Sequence, residues 1–204
     1  MSPVIVPSAD LTALRAAGTD PTASARAHEA LDQACQEHGF FLLTGHGLDA
    51  VFDRMWHASA EFFGSERANK LSVLRSETQA LGYYDRELTK RKRDLKEVFD
   101  YTEPRRPGER DPNQWPAQPP GFQDTLAEFY GATGSLALEL LTLLGRTLAF
   151  GAARSAGAGA REALAAAPLT MPAGSPRHSN VRLNHYPNNR PAGGAGARAN
   201  TRAR

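Results

Sequence analysis

The stretch Glu37-His38-Gly39-Phe40-Phe41-Leu42-Leu43-Thr44-Gly45-His46-Gly47 decides the fold. Its four consecutive large apolar residues, bounded by glycines, are too few for a helix and predict a short strand covered on both faces. Gly39 suits the position just past the end of a preceding helix, where the backbone turns left-handed. Gly45 and Gly47 permit a sharp turn into the next helix.

On the N-terminal side, Asp20-Pro21 reads as the cap and first position of the helix that ends near Gly39. Ala27, Ala30, Leu31, Ala34 and Cys35 lay one apolar stripe along it. Val4-Ile5-Val6-Pro7 reads as a short strand closed by proline. On the C-terminal side, Asp49 is the expected cap of a second helix, with Val51, Phe52, Met55, Trp56, Ser59, Phe62 and Phe63 on its inner side and Gly64 as its stop. Residues 65–70 add a helical turn.

Residues 81–84 and 96–101 read as short strands, separated by a charged run over 87–94 taken as a solvated face or loop. Residues 104–120 form a proline-broken connection containing Asn113-Gln114-Trp115-Pro116. A long helix follows over about 121–150, with Phe122, Leu126, Phe129, Tyr130, Leu136, Leu140, Leu143 and Leu144 inward. Gly131 and Gly134 weaken it by about 1 kcal/mol each relative to alanine. A short helix over 160–167 and a strand over 181–186, ended by Pro187, complete the elements. Residues 188–204 carry no large hydrophobic side chain and no periodicity; they read as disordered.

Net charge is +2, but its distribution is uneven. Residues 1–150 hold 16 Lys and Arg against 21 Asp and Glu, a balance of −5; residues 151–204 hold 8 Arg against Glu162 alone, a balance of +7. A basic segment without interleaved aromatics makes a weak case for nucleic acid. Cys35 is the only cysteine, so no intramolecular disulfide forms, and its place on an apolar stripe marks a small hydrophobe rather than a nucleophile. With Pro3, Pro7 and Asp10 and no long apolar run, the start does not read as a signal peptide or membrane span, and a cytoplasmic location is expected.

Taken together, the Gly39-Phe40-Phe41 run, the Phe62-Phe63 pair with its following acid-to-lysine segment, Gly82-Tyr83, Lys96-Glu97-x-Phe99-Asp100, Asn113-x-Trp115-Pro116 and Asn184-x-Tyr186-Pro187 have a familiar order and spacing. They resemble the isopenicillin N synthase-like non-haem iron oxygenases, most of which use 2-oxoglutarate. The resemblance implies an α+β fold, with a helix-rich N-terminal region packed on the first strands of an incomplete double-stranded β-helix (jelly-roll) barrel. It divides the chain into an N-terminal region over 1–120, the long helix and first barrel strand over 121–187, and the tail. The implied chemistry is oxidative decarboxylation of 2-oxoglutarate coupled to oxidation of a small-molecule substrate.

In that family Fe(II) is held by a His-x-Asp pair and a distant histidine, and the far carboxylate of 2-oxoglutarate by an Arg-x-Ser, all beyond the Asn-x-Tyr-Pro strand. Here Ala199-Asn200-Thr201-Arg202 stands in that neighbourhood. Asparagine is a poor iron ligand and arginine is none. No metal ligand is therefore assigned, and the chain is expected to be a truncated, inactive form that binds neither Fe(II) nor 2-oxoglutarate. By position Tyr186, aided by Asn184, inherits the family's hydrogen bond to 2-oxoglutarate; without the metal and the arginine, an inward barrel tyrosine with a satisfied hydroxyl is the favoured reading.

The six histidines read as turn and surface residues, with His178 and His185 lacking a nearby carboxylate. No nucleophile motif or phosphate loop is present. A non-catalytic scaffold or interaction module with a basic tail is the alternative, and completion by a second chain stays open.

Overall fold

In this computed structural model, which describes residues 6–89, 92–105, 109–156 and 179–187, β1 (Ser8–Asp10) leads into α1 (Leu11–Arg15), a 3-10 turn (Ala16–Gly18) and α2 (Pro21–Glu37). Then come β2 (Leu42–Thr44), α3 (Asp49–Gly64), α4 (Arg67–Leu71), β3 (Gly82–Tyr84) and the short pair β4 (Leu88–Thr89) and β5 (Lys92–Arg93). β6 (Glu97–Thr102), α5 (Phe122–Ala156) and β7 (Asn180–His185) follow. The readings at 160–167 and 188–204 lie outside the described residues.

Local chemistry places most helix ends. The Asp20 carboxylate accepts from the Ala23 amide at 2.9 Å, and Pro21 occupies the first helical position. Gly39 sits at φ 73° just beyond the His38 cap. Asp49 does not cap α3: Leu48 holds that position without a side-chain bond, and Asp49 lies in the first turn, where its carboxylate complements the helix dipole. His46 Nδ1 instead accepts from the Leu48 amide at 2.9 Å.

β1 and β2 pair in parallel, Ser8 with Leu42 through Asp10 with Thr44. The expected strand at residues 4–7 is displaced: 4 and 5 are outside the described residues, Val6 and Pro7 precede β1, and the Pro7 carbonyl accepts from the Leu42 amide at 2.8 Å. β2 is not covered on both faces. Phe41 and Leu43 pack inward, whereas Phe40 and Leu42 are 53% and 59% exposed, because the described elements lie on one side of this ribbon only. β3, β6 and β7 form an antiparallel sheet with β6 in the middle. Helices and open sheets together make the fold α+β.

Two apolar clusters form the core. The first joins Met55, Phe62 and Phe63 of α3, Tyr83, Phe99, Tyr101 and Leu183 of the sheet, and Phe122 and Leu126 of α5. The second gathers Ala9, Leu11, Leu14, Leu31 and Leu143, with Phe41, Leu43, Leu136 and Leu140 against it. α5 is long enough to enter both. Bidentate pairs Arg54–Glu128 (3.0 and 2.5 Å) and Arg15–Glu139 (both 2.7 Å) fasten it to α3 and α1.

Trp56, Ala30 and His28 depart from their expected faces. Trp56 is 62% exposed, with Ala58 in the inner place, and Ala30 is exposed while His28, with Ser24 one turn before it, turns inward. His28 is no surface histidine: it is 2% exposed, with Nδ1 2.7 Å from Thr147 Oγ1 of α5. A helix stripe read from apolar residues alone passes over a polar side chain whose partner lies on another helix.

Three outcomes are expected. A Cβ at Gly131 or Gly134 meets nothing within 4 Å, so Gly131→Ala and Gly134→Ala should each raise stability in denaturant by about 0.5–1 kcal/mol. At Gly82, φ is 113° and a Cβ would lie 2.3 Å from the Val73 carbonyl oxygen; Gly82→Ala should cost about 2–3 kcal/mol. Burial, with the Arg146 charge added, pushes the His28 imidazole below its ordinary 6.5. The unfolded chain then takes up a proton that the folded chain resists, so this stability is complete above about 6.5 and is lost as pH falls. The denaturation midpoint should drop when the pH is lowered from neutrality to about one unit below that value, and the drop should shrink in His28→Gln.

Candidate functional site

Strand β7 carries Asn184 and leads directly into Tyr186, the residues singled out by resemblance, and its pairing with β6 decides where Asn184 points. Glu97 faces His185, Val98 faces Asn184, Phe99 faces Leu183 and Asp100 faces Arg182. Successive side chains alternate across a strand. Glu97, Phe99, Leu183 and His185 therefore share the side toward the helices, while Val98, Asp100, Arg182 and Asn184 share the other. Tyr186 lies just past the strand end, outside this register, and is 67% exposed.

The side away from the helices is charged. Arg182 grips Asp100 with two bonds, Nε to Oδ1 at 2.7 Å and Nη2 to Oδ2 at 2.9 Å, and reaches Glu87 at 2.8 Å. Arg75 donates to Asp100 at 2.5 Å and lies 4.4 Å over the Tyr84 ring. Lys96 meets Glu87 at 2.9 Å. The hydrogen bond from Lys96, then the charge of Arg182, hold the Glu87 carboxyl below its ordinary range despite partial burial. The run over 87–94 is therefore more than a solvated loop, since Glu87 is built into this network.

The helix side holds a second, more enclosed cluster centred on Glu97. Its Oε1 accepts from Lys70 Nζ at 2.7 Å and from the Tyr83 hydroxyl at 2.6 Å, and its Oε2 lies 3.0 Å from His185 Nδ1. Lys70 also donates to the Phe63 carbonyl at 3.0 Å, and the His185 ring stacks on Phe63 at 5.0 Å. Burial opposes the Glu97 charge, but the bonds from Lys70, Tyr83 and His185 together keep its carboxyl below 4.5. Burial and Glu97 push the Tyr83 phenol upward. His185 thus has the carboxylate neighbour that its sequence surroundings did not reveal, because that partner is 88 residues away.

The connecting loop is tied to the same sheet. Asn113 Oδ1 accepts from the Thr102 amide at 2.8 Å, and Trp115 Nε1 donates to Asp111 at 2.8 Å. Glu97, Lys70, Asp100 and Arg182 were not picked out as site residues. The signal available was Lys96-Glu97-x-Phe99-Asp100: strand alternation sends Lys96 and Asp100 to one side, Glu97 and Phe99 to the other.

Among the described residues no three His, Cys, Asp or Glu side chains come together as metal ligands. The Glu97–His185 pair cannot serve, since the Lys70 ammonium already stands against the carboxylate. These residues do not fit an iron centre, and Asn200 and Arg202 lie outside the described span. Burial, with the Asp32 charge, pushes the Cys35 thiol up, the reverse of activation. No helix of the described residues is long and apolar enough to cross a membrane.

The profile of the family described as "non-haem dioxygenase in morphine synthesis N-terminal" matches residues 6–118. Homoarginine-6-hydroxylase 2-ODD-C23.1 of Arabidopsis thaliana is 30% identical over 133 residues, 58% of this chain and 40% of that protein. The 2-oxoglutarate-Fe(II) type oxidoreductase hxnY of Emericella nidulans is 27% identical over 170 residues, 72% of this chain and 47% of that protein. This chain spans less than half the length of these curated relatives. Among solved structures, a full-length Neurospora crassa protein crystallised in complex with alpha-KG shares the fold at a TM-score of 0.59 and 23% identity, over 92% of this chain and 53% of that one. Since the family profile covers more than half of its residues and the relatives agree in kind, the chain belongs to the 2-oxoglutarate- and Fe(II)-dependent dioxygenase family.

Proposed function

We propose that residues 1–204 form the helical platform and leading jelly-roll strands of an oxygenase that couples oxidative decarboxylation of 2-oxoglutarate to oxidation of a small molecule in the cytoplasm. The observation that carries this reading is the β6–β7 register, which turns Asn184 to the side of the sheet away from the helices, with Tyr186 exposed just past the strand end. In the complete barrel that side would be its interior, and these two residues would meet 2-oxoglutarate there. The relatives fit a small-molecule substrate: one is a homoarginine hydroxylase, and the Neurospora crassa protein has also been solved with alpha-KG and thymine.

These residues taken alone do not turn over. The neighbourhood where the family places its iron ligands reads Asn200 and Arg202, a poor ligand and none. A scaffold that binds an acidic partner through the basic segment is the second reading, favoured by 8 Arg against one Glu over residues 151–204.

Anaerobic addition of Fe(II) and then 2-oxoglutarate to the purified chain should give no protein-dependent charge-transfer band and no stoichiometric iron binding. A band, or tight stoichiometric iron, would overturn the inactive reading. Affinity for a nucleic-acid duplex that falls steeply with salt would favour the scaffold instead.

A further inference from the structure

The cluster around Glu97 joins five elements at one end of the sheet: Lys70 from α4, the Phe63 carbonyl from α3, Tyr83 from β3, Glu97 from β6 and His185 from β7. Its placement along β7 is specific. His185 stands between Asn184 and Tyr186, is the last paired residue of the strand, and points to the opposite side from Asn184. Among the described residues β7 pairs with β6, and His185 is the end of that ladder. Arg182 anchors the middle of β7 to Asp100, and at the strand's end His185 is bonded to Glu97 and stacked on Phe63 at an interplanar angle of 16°.

Stability alone does not account for the chemistry chosen. The Lys70 and Glu97 side chains are only 11% and 14% exposed, and well-packed apolar residues commonly replace such a pair without loss of stability. What an apolar pair cannot supply is direction. A carboxylate with one oxygen committed to Lys70 and Tyr83 presents the other at a fixed place, and His185 must come to it.

The geometry points to Lys70 and Glu97 as positioning residues, acting through His185 to fix the direction in which Asn184 and Tyr186 are presented. This rests on the reading that those two face 2-oxoglutarate. Lys70 and Glu97 lie in two of the motifs quoted above, the acid-to-lysine segment after Phe63 and Lys96-Glu97-x-Phe99-Asp100, for which the proposed function has no other use.

The test is residue-resolved amide exchange on the 204-residue chain, compared with its Lys70→Met, His185→Phe and Glu97→Gln variants. His185→Phe keeps a ring on Phe63 and removes the bond to Glu97; Glu97→Gln keeps the shape and acceptor oxygen. Exchange at residues 184–186 should speed up by about tenfold or more relative to residues 181–183 in Lys70→Met and His185→Phe. Lys70→Met should also lower the denaturation midpoint, since it leaves the Glu97 carboxylate without its cation, whereas His185→Phe should change the midpoint little and Glu97→Gln should retain most of the protection. Unchanged exchange at 184–186, or acceleration spread evenly along β7, would overturn the proposal. Neither outcome depends on 2-oxoglutarate: a charge-transfer band would remove the inactive reading and leave this lock standing, whereas even exchange would remove the lock alone.

Discussion

The ring of Phe62 is fully buried at the meeting point of four elements. It stacks on Phe122 of α5 at 4.9 Å and takes the edges of Phe99 of β6 at 5.1 Å and Tyr83 of β3 at 6.2 Å, while belonging itself to α3. Removing such a ring from a core costs about 3–5 kcal/mol, a large part of the total stability of an ordinary domain. Exposed ion pairs are worth about 1 kcal/mol or less, so the pair between Arg15 and Glu139 trims the position of α5 while the aromatic contact holds it.

Once Phe62 has claimed one side of the sheet, the other side is free for polar work. That division runs through β6 residue by residue. Phe99 and Tyr101 enter the core, whereas Asp100, one step between them, turns away to bind Arg75 and Arg182. Glu97 is the exception on the helix side, a carboxylate at the rim of an aromatic core. It is tolerated there because Lys70, Tyr83 and His185 satisfy both its oxygens.

α5 explains how this span holds two cores together. Its first turns bring Phe122 and Leu126 to the aromatic cluster, and about four turns later Leu136, Leu140 and Leu143 reach the aliphatic cluster under β1 and β2. The glycines at 131 and 134 fall between the two sets of contacts, where side chains are least needed.

Features whose partners lie a few residues apart could be read directly. Asp20 and Pro21 announce a helix start because the bonds they make or forgo are within one turn, and Gly39 announces its end because only its backbone must turn left-handed. The Lys96-Glu97-x-Phe99-Asp100 strand and the long helix were legible for the same reason, since period-two and 3.6-residue patterns are local. The open side of β2, the outward Trp56, the buried His28 and the carboxylate beside His185 were not. Each depends on which element packs where: His28 meets Thr147 across 119 residues and His185 meets Glu97 across 88. Caps, turns and periodicity are settled by neighbours in the chain, whereas the direction of Asn184 is settled by a register between distant strands, which only the folded chain defines.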